Sequence, residues 1–336
     1  MSEMEHIGVV VIGRNEGDRL KRCLRSIDER ISRVVYVDSG SSDDSVEFAR
    51  SFNVEVVELD TSVPFTTARA RNAGYARLKE ISEELSLVQF VDGDCAFEPG
   101  WFDAALGFMN ENGTCSAICG RLIERHPEQS VYNTLCQIEW DRPIGRVDAC
   151  GGIAMYRTSA FDEAGGFDPK MIAGEEPELC FRIRRAGGEI QSIAQDMAKH
   201  DAAMTRFAQY WKRAKRAGYA YAQSAYMHGG AEERYKVHQV RSGLCWGLVF
   251  PIVAILLAYW TFGVSIVLFV ALLFVQAWRI RRNEIQAGRN PSDASLLARF
   301  IIIAKFAQAQ GVLLFHWRRV TGKQATLIEY KGVKDG

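Results

Sequence analysis

The segment "IGVVVIGRNEGDRLKRCLRSIDERISRVVYVDSG" (residues 7–40) decides the fold, because two apolar runs flank a charged segment with a helical pattern. The first run, residues 7–13, and the second, residues 33–38, consist mainly of Val and Ile, which favour strands. The segment between them, near residues 16–30, has helical spacing of its leucines and charges. This order predicts a β-α-β unit with two parallel strands.

The same alternation continues along the first half of the chain. Two further apolar runs, "VEVVEL" (54–59) and "LSLVQFVD" (85–92), follow helical patterns near residues 43–52 and 66–84. The polar clusters "GRNEGD", "DSGSSDDS" and "DGD" come after the first, second and fourth strands. Each cluster alone is compatible with an ordinary turn. Because ligands of such sheets bind at the carboxyl ends of the strands, three clusters on one edge favour a shared site.

Charge and cysteine content exclude several classes of protein. The 336-residue chain has 41 basic and 41 acidic residues, and this balance argues against a nucleic-acid binder. The eight cysteines form no CxxC pair, and no secretory signal peptide is recognisable at the N-terminus. We therefore expect reduced, cytosolic thiols that serve mainly in packing. Cys115 and Cys119 lack further ligands at zinc-site spacing, which argues against a metal role for that pair.

The second half contains a stretch without charge, residues 244–278. It is too long for one ordinary membrane span and sufficient for two short ones, with a break near residues 261–263. Arginine and lysine flank both ends, so the positive-inside rule places both ends in the cytoplasm. The sequence thus predicts a transmembrane hairpin; a buried helical pair of a soluble core is the alternative.

Two segments around this hairpin combine basic and apolar side chains. "SLLARFIIIAKFAQAQGVLLFHWRRV" (295–320) has an apolar face with interspersed Arg and Lys, which is typical of an interfacial helix on anionic lipid rather than a third span. "RFAQYWKRAKRAGYAYAQSAY" (206–226) has a similar basic and aromatic character, and a solvated helix face is the alternative there.

An ordered set of motifs resembles the catalytic domain of a family 2 glycosyltransferase with the GT-A fold, over about residues 5–205. The hairpin resembles that of membrane-attached members, which act on lipid-linked acceptors in bacterial surface or exopolysaccharide assembly. The motifs are "VVVIGRNEG", "VVYVDSGSSDDS", "ARARNAG", "FVDGDC", "GGIAMYR", "GGFD" and "GEEPELCFRIRRAG".

The resemblance implies a fold, an activity and a location. The fold is a GT-A (Rossmann-like) α/β fold, with a mixed, mostly parallel sheet flanked by helices. The activity is inverting transfer from a UDP- or GDP-sugar to a lipid-linked (polyprenyl-type) or glycan acceptor at the cytoplasmic face of the inner membrane. The predicted divisions are residues 1–205 (catalytic domain), 206–243 (interfacial helical linker), 244–278 (transmembrane hairpin) and 279–336 (basic amphipathic cytoplasmic tail).

Asp92 and Asp94 are the candidate metal ligands. In an extended segment, residues two apart point the same way, so both carboxylates can face one ion or its water shell. Oxygen ligands suit Mg²⁺ or Mn²⁺, and such a cation neutralises charge that develops on a departing diphosphate. Gly93 between them allows close approach of the backbone to a ligand. The resemblance adds His200 as a ligand of the metal or the diphosphate, although a structural histidine is the alternative.

The resemblance also implies the residues that bind the nucleotide-sugar. Asp38 corresponds to the position that contacts the base or ribose, and Arg71 and Asn72 correspond to a helix-borne pair near the base and diphosphate. Glu16 has an alternative role as a first-turn acid that complements its helix dipole. The full predicted set is Ile12, Arg14, Glu16, Asp38, Arg71, Asn72, Asp92, Gly151 and Gly152.

Carboxylates at the start of a predicted helix supply candidates for the catalytic base. In the family this motif usually reads Gly-Glu-Asp, with the aspartate as base, and Glu176 stands in that position here. Glu175 would then orient the acceptor, and Glu178 and Arg182 would support the site. Because glutamate is longer than aspartate by one methylene, Glu175 and Glu178 stay open as alternative bases. Capping acids of a helix are the structural alternative.

Three other functions compete with this interpretation. A nucleotidyltransferase shares the α/β edge and the paired acids, but "IGRNEGDRL" is a poor match to a Gly-rich basic phosphate loop. A processive polysaccharide synthase is disfavoured because no QxxRW-like motif follows the acidic helix. A catalytically silent membrane scaffold is disfavoured by the intact acidic residues. The sequence gives no indication of the oligomeric state.

Overall fold

The computed structural model describes residues 3–82 and 84–323 and divides the chain into two compact units. The first unit comprises Met1–Gln129 and Glu139–Ala203, and the second comprises Ser130–Ile138 and Met204–Gly336. The predicted functional divisions at residues 205, 243 and 278 stay predictions. The part of the predicted tail after residue 323 lies outside the described residues.

The first unit is built on one mixed sheet. Its order is β3-β2-β1-β4-β8-β6-β9-β5, with β7 paired to β9. The pairs β1–β2, β1–β4, β2–β3 and β6–β9 are parallel, whereas β8 is antiparallel to both β4 and β6, and β9 is antiparallel to β5 and β7. The strands are β1 (Ile7–Gly13), β2 (Arg33–Asp38), β3 (Glu55–Glu58), β4 (Leu87–Asp92), β5 (Cys95–Phe97), β6 (Cys115–Glu124), β7 (Gly145–Arg146), β8 (Ala154–Arg157) and β9 (Glu189–His200).

The burial of the N-terminal strands agrees with their parallel pairing inside the sheet. Residues 7–12 are all buried, and so are the last four residues of β2. Parallel strands covered by helices on both faces are expected to be continuous apolar runs of this kind. The predicted α/β fold is confirmed, and the predicted strand bounds 7–13 and 33–38 coincide with β1 and β2.

Helices cover the sheet and are shorter than predicted. The first helix begins only at Asp18, because Asn15 and Gly17 have positive φ angles of 55° and 51° and form a loop before it. The helices of the first unit are α1 (Asp18–Arg25), α2 (Ser45–Ser51), α3 (Thr67–Ile81), α4 (Trp101–Glu111), α5 (Val131–Trp140, shared with the second unit), α6 (Thr158–Glu163) and α7 (Glu175–Arg185), with 3₁₀ turns at Glu3–His6 and Pro127–Gln129.

An aromatic cluster lies beneath the carboxyl edge of the sheet. The ring of Phe90 on β4 lies 5.1 Å from that of Phe167 and 5.2 Å from that of Phe161, measured between centroids. Phe161 and Phe167 are themselves 5.3 Å apart. Aromatic contacts at these distances add to the stabilisation from burial. The cluster therefore fixes the end of β4 against the loop that precedes α7.

The second unit is helical. Helix α9 continues through one π-helical segment, Cys245–Val249, into α10, and a turn at residues 258–263 separates α10 from α11. Phe262 and Gly263 adopt positive φ angles of 50° and 85° in this turn, at the predicted break. The helices are α8 (Phe207–His228), α9 (Val237–Leu244), α10 (Phe250–Leu257), α11 (Val264–Gln286) and α12 (Pro291–Thr321).

Helix α12 packs closely against α8 and against the π-helical segment. A Cβ atom built on Gly218 of α8 would lie 2.1 Å from the Gln308 carbonyl oxygen, and one on Gly311 would lie 2.0 Å from the Lys215 carbonyl oxygen. A Cβ atom on Gly247 would lie 2.1 Å from the Lys305 carbonyl oxygen. Only glycine allows such close backbone contact, which is a common device of apolar helix pairs.

Within the described residues, three helical segments are long and apolar enough to cross a membrane. They are Val237–Leu257, Val264–Gln286 and Pro291–Thr321. The first two form the predicted apolar helix pair, and they extend beyond residues 244–278 because the helices continue into the charged flanks. The third contains the segment 295–320 that the sequence predicts to be interfacial. Together these helices indicate membrane association.

Candidate active site

The ends of three parallel strands bring the polar clusters to one edge of the sheet. Gly13 at the end of β1 is in register with Asp38 of β2, and Ile12 is in register with Asp92 of β4. The Gly93 amide donates to the Ile12 carbonyl oxygen at 2.8 Å and ties the two strand ends together. The predicted site residues Ile12, Asp38 and Asp92 therefore share one edge.

Arg71 connects the two acidic motifs of the site. Its guanidinium, only 2% exposed, donates from Nη2 to Asp92 Oδ1 at 2.8 Å and from Nη1 to Glu175 Oε1 at 2.7 Å. The same Glu175 oxygen accepts a hydrogen bond from Thr67 Oγ1 at 2.7 Å. Burial disfavours the charged guanidinium, but the charges of Asp92 and Glu175 outweigh burial, so the pKa of Arg71 is raised. Arg71 is thus a permanent cation between the two acids.

Replacing Arg71 by Met is expected to lower the melting temperature of the detergent-purified protein by about 10 °C. The change leaves Glu175 buried without its cation, and breaking a buried pair in this way costs about 3–5 kcal/mol. Differential scanning fluorimetry measures the shift.

Arg77→Met is the matched control for Arg71→Met. Arg77 lies on the same helix and also pairs with two carboxylates, Glu55 and Glu80, but its side chain is 37% exposed. Exposed pairs contribute about 0–1 kcal/mol, so this variant should melt within about 3 °C of the wild type. Equal losses in the two variants would contradict the role assigned to Arg71.

Asp94 and His200 form the candidate metal centre. Asp94 Oδ1 lies 3.3 Å from His200 Nε2, and both side chains are largely buried. The antiparallel pairing of β5 with β9 places Cys95 opposite His200, and donor atoms of Asp94, Cys95 and His200 lie within 4.8 Å of one another. Trp140 packs its ring against the imidazole, with centroids 4.6 Å apart.

The donor atoms at this centre fit a divalent cation. Carboxylate oxygen suits Mg²⁺ and Mn²⁺, and imidazole nitrogen is a good ligand for metals of the Mn²⁺ series. Asp92 is engaged differently from the expectation, because its Oδ1 binds Arg71; its side chain is 38% exposed and open to a ligand. The pair Asp94 and His200 is therefore brought together, whereas a shared metal role for Asp92 stays a prediction.

Both carboxylate oxygens of Asp38 accept hydrogen bonds that fix the turn after β2. Its Oδ1 accepts from Tyr36 and Ser41 hydroxyls at 2.9 and 2.5 Å, and its Oδ2 accepts from the amides of Gly40 and Ser41 at 2.9 and 2.8 Å. Burial raises the pKa of Tyr36, so its hydroxyl remains a donor. A carboxylate accepts about four hydrogen bonds, so contact with a ribose requires exchange of one of these bonds.

The other predicted nucleotide-site residues divide between exposed and buried positions. Arg14 is exposed at the edge of the sheet, Ile12 is buried in it, and Glu16 pairs with Arg19 at 2.9 Å. Asn72 binds the backbone of Phe167 with both ends of its amide, at 2.7 and 3.1 Å. In this structure Asn72 fixes a loop.

Sequence reasoning missed Asn15 as a residue that shapes the edge. Its side-chain oxygen accepts a hydrogen bond from the Ser42 backbone amide at 2.7 Å, and its backbone amide donates to Ser41 Oγ at 2.9 Å. These bonds join the loops that follow β1 and β2. The sequence feature that could have identified Asn15 is its position between a predicted strand and a predicted helix, because asparagine tolerates positive φ.

Glu176 is buried at the start of α7 and is fixed by backbone amides. Its Oε1 accepts from the Cys150 amide at 2.9 Å and from the Tyr156 hydroxyl at 3.1 Å, and its Oε2 accepts from the Gly151 amide at 2.8 Å. Burial raises the pKa of Tyr156, so that hydroxyl stays a donor. In the described part of the chain Oε2 accepts this one protein hydrogen bond, which leaves it able to accept another.

Glu178 is paired with Arg182. Two bonds of 2.8 and 2.7 Å join the carboxylate to the guanidinium, which also binds the carbonyl oxygens of Ala164 and Gly166. Glu178 is 1% exposed. The pair fixes the loop before α7, and a supporting role in the site stays a prediction.

Gly151 and Gly152 lie beside Glu176 with φ angles of 92° and 110°. A Cβ atom on Gly151 would lie 2.0 Å from Arg142 Nη2, so this guanidinium lies directly on the glycine. Arg142 also donates from Nη1 to the Ala149 carbonyl oxygen at 3.0 Å. Sequence reasoning missed Arg142 because its loop carries no recognisable motif.

Comparisons with known proteins agree with this architecture. The chain resembles the mannosyltransferase PcManGT from Pyrobaculum calidifontis, solved with GDP-Man and Mn²⁺, with a TM-score of 0.58 and 16% identity over 94% of this chain and 88% of that one. The first unit therefore has the GT-A fold of glycosyltransferases. The model of the family described as "Glycosyl transferase family 2" matches residues 8–165. The match covers 158 of the 336 residues, just under half of the chain.

Two curated relatives are similar to part of the chain. The pre-mycofactocin glycosyltransferase of Mycobacterium tuberculosis is 28% identical over 211 residues, which cover 58% of this chain and 42% of the relative. The O-antigen chain rhamnosyltransferase WbaN of Salmonella anatum is 26% identical over 183 residues, which cover 50% of this chain and 56% of the relative. The chain thus spans about half the length of these curated relatives.

Proposed function

We propose that this protein is a membrane-attached, metal-dependent, inverting glycosyltransferase. It moves a sugar from a UDP- or GDP-sugar to a lipid-linked or polysaccharide-precursor acceptor at the cytoplasmic face of the inner membrane. The relative that acts on O-antigen chains supports a glycan precursor as acceptor. The relative solved with GDP-Man and Mn²⁺ supports a nucleotide-sugar donor and a divalent cation.

One contact carries the proposal: Arg71 binds Asp92 and Glu175 together. Asp92 belongs to the motif expected to face the donor diphosphate, and Glu175 to the motif expected to face the acceptor. Transfer requires donor and acceptor within reach of each other. A buried cation that joins the two motifs supports a single site for both substrates.

On the donor side, Asp94 and His200 would hold the cation. A bound Mn²⁺ or Mg²⁺ neutralises the charge that develops on the departing nucleotide diphosphate. Asp92 is held by Arg71 at the same strand end, with part of its carboxylate accessible. A Cβ atom on Gly93 would lie 3.3 Å from the Ile12 carbonyl oxygen, so the residue between the two acids packs against the end of β1.

On the acceptor side, Glu176 accepts the proton of the attacking hydroxyl. Oε2 is the suitable atom, because in the described residues it accepts a single hydrogen bond, from the Gly151 amide. The Cys150 and Gly151 amides hold the carboxylate in one orientation, which a general base requires. Glycine at 151 and 152 permits the adjoining loop to move away and admit the acceptor.

A panel of UDP- and GDP-sugars offered to the detergent-purified protein tests the donor class. We expect one nucleotide family to raise the melting temperature by several degrees with Mn²⁺ present, because a ligand that binds only the folded state stabilises it. Free UDP and GDP serve as controls for recognition of the nucleotide alone. No shift with any member would contradict the proposed donor.

The membrane arrangement has its own test by cysteine labelling in spheroplasts, in a Cys245→Ser background. Phe262 in the turn is 98% exposed, and Ala287, just after α11, is also exposed. We expect Phe262→Cys to react with an impermeant maleimide and Ala287→Cys to react only after lysis. Lys323→Cys should behave like Ala287→Cys if α12 lies on the membrane surface.

The packing of α12 supports that surface location. Its partner α8 carries the basic residues Lys212, Arg213, Lys215 and Arg216, and the backbone of Lys215 lies against α12 at Gly311. Charged side chains are costly inside a bilayer. Labelling of Lys323→Cys in intact spheroplasts would instead make α12 a third span.

A further inference from the structure

Two thiols and one carboxylate meet behind the loop at residues 150–152. The Sγ atoms of Cys150 and Cys180 lie within 4.8 Å of each other. Cys180 Sγ also lies 3.0 Å from Glu176 Oε1. The two thiols belong to different elements, the loop before β8 and α7. The fold, rather than local sequence, therefore assembles this cluster.

The spacing of these groups matches a small metal site. Donor atoms of Cys150, Glu176 and Cys180 all lie within 4.8 Å of one another. In a tetrahedral zinc site with Zn–S bonds of about 2.3 Å, two sulfur ligands are roughly 3.8 Å apart. That separation lies within the 4.8 Å limit that the observed donor atoms satisfy.

We propose that Cys150, Cys180 and Glu176 form a binding site for a soft divalent cation, Zn²⁺ in particular. On binding, the coordinating thiols release their protons to solvent and bind as thiolates, while Glu176 supplies Oε1. Thiolates select zinc over Mn²⁺ and Mg²⁺, which prefer oxygen ligands. The site is thus chemically distinct from the centre at Asp94 and His200.

Access and charge are compatible with this site. Cys150 is 6% exposed and is followed by Gly151, which is exposed at the surface, so a cation can enter beside the loop. Two thiolates and a carboxylate around Zn²⁺ leave one excess negative charge. The Arg142 guanidinium, which lies on Gly151, is positioned to compensate part of that charge.

Occupation of the site inhibits sugar transfer, a consequence that rests on the proposed role of Glu176 as the base. A cation on Oε1 withdraws electron density from the carboxylate and lowers its capacity to accept a proton. Zinc would then act as an inhibitor of an enzyme that needs Mn²⁺ or Mg²⁺. Binding of the cation itself does not depend on that role, so the two ideas are tested separately.

Titration of the reduced, metal-free protein with Co²⁺ tests the site, because cobalt thiolates have near-ultraviolet charge-transfer absorption and Zn²⁺ displaces the ion. We expect a saturable band in the wild type that Zn²⁺ abolishes. Cys180→Ser should weaken Co²⁺ binding by at least about 10- to 100-fold, a loss seen even for groups that only support a ligand. Cys150→Ser, at the more exposed position, should have the same effect and decides the result if Cys180→Ser does not fold.

Cys95→Ser is the matched control, since Cys95 is the thiol of the other candidate metal group. It should keep the band. A wild-type protein without any thiolate band would overturn the proposal, and so would a band that Cys95→Ser removes and Cys150→Ser retains. Donor-induced thermal shifts of the same variants report on the proposed transferase function independently of the optical signal.

Discussion

Turnover of the Glu176→Gln variant is expected to be about 10²–10⁴-fold lower than that of the wild type, the usual contribution of a general base. Glutamine keeps the size of the side chain but cannot accept the proton of the acceptor hydroxyl. Donor and metal affinity should survive, because the proposed metal ligands Asp94 and His200 lie outside α7. Initial rates at saturating donor, together with donor binding by calorimetry, measure the two effects.

The hydrogen bonds around Glu176 make a second substitution necessary as a control for Glu176→Gln. Each carboxylate oxygen of Glu176 accepts a hydrogen bond from a backbone amide, Oε1 from Cys150 and Oε2 from Gly151. In Glu176→Gln the side-chain NH₂ group must therefore face one of these two N–H donors. An unmade buried hydrogen bond costs about 1–3 kcal/mol, which alone could disturb the loop. Glu176→Asp retains a carboxylate and should keep more activity than Glu176→Gln, although its shorter arm weakens one amide contact.

Glu175→Gln and Glu178→Gln complete the comparison. Glu175 is bound by Arg71 and Thr67, and Glu178 by Arg182, so each is held by protein groups. We expect milder losses in both than in Glu176→Gln. If Glu176→Gln kept near-normal turnover while Glu175→Gln or Glu178→Gln lost it, the residue replaced in the inactive variant would be the base.

Asp94→Ala is expected to weaken Mn²⁺-dependent donor binding by at least about 100-fold and to abolish transfer. The carboxylate lies 3.3 Å from the His200 imidazole, and loss of a metal ligand exceeds the 10- to 100-fold cost of losing a supporting group. Donor affinity with Mn²⁺ and with EDTA measures the effect. Affinity that is equal in both conditions in the wild type would contradict the metal role.

Glu98→Ala is the matched control for Asp94→Ala. Glu98 also lies on the segment at β5 and also pairs with a residue of β9, Lys199, at 3.1 Å. It has no assigned contact with donor or metal. We expect its Mn²⁺-dependent donor binding to equal that of the wild type, and an equal loss in both variants would indicate a general disturbance of β5.

Local pattern was sufficient for the N-terminal strands and the apolar helix pair. Residues 7–13 and 33–38 are continuous Val-rich runs, so burial on both faces left a clear signal. The uncharged stretch 244–278 likewise required apolar surroundings on all sides. The turn at residues 258–263 was predictable because Gly263 offers the positive φ that ends a hairpin helix.

Contacts between residues far apart in the chain could not be predicted from the sequence. Nothing in "ARARNAG" indicates that Arg71 binds acids at residues 92 and 175, since that pairing depends on how α3 and α7 meet the edge of the sheet. The antiparallel strands of the second half of the sheet were equally hidden, because β8 is only four residues long. The placement of residues 130–138 with the second unit also has no local signal.

Release of free nucleotide from the matching UDP- or GDP-sugar, measured with Mn²⁺ and with EDTA, tests the central claim most directly. The account predicts nucleotide release that requires the cation, falls to background in Asp94→Ala, and rises when a lipid-linked acceptor is added. A folded, membrane-inserted protein that releases no nucleotide from any donor under any of these conditions would be a silent scaffold, and that result would contradict the account.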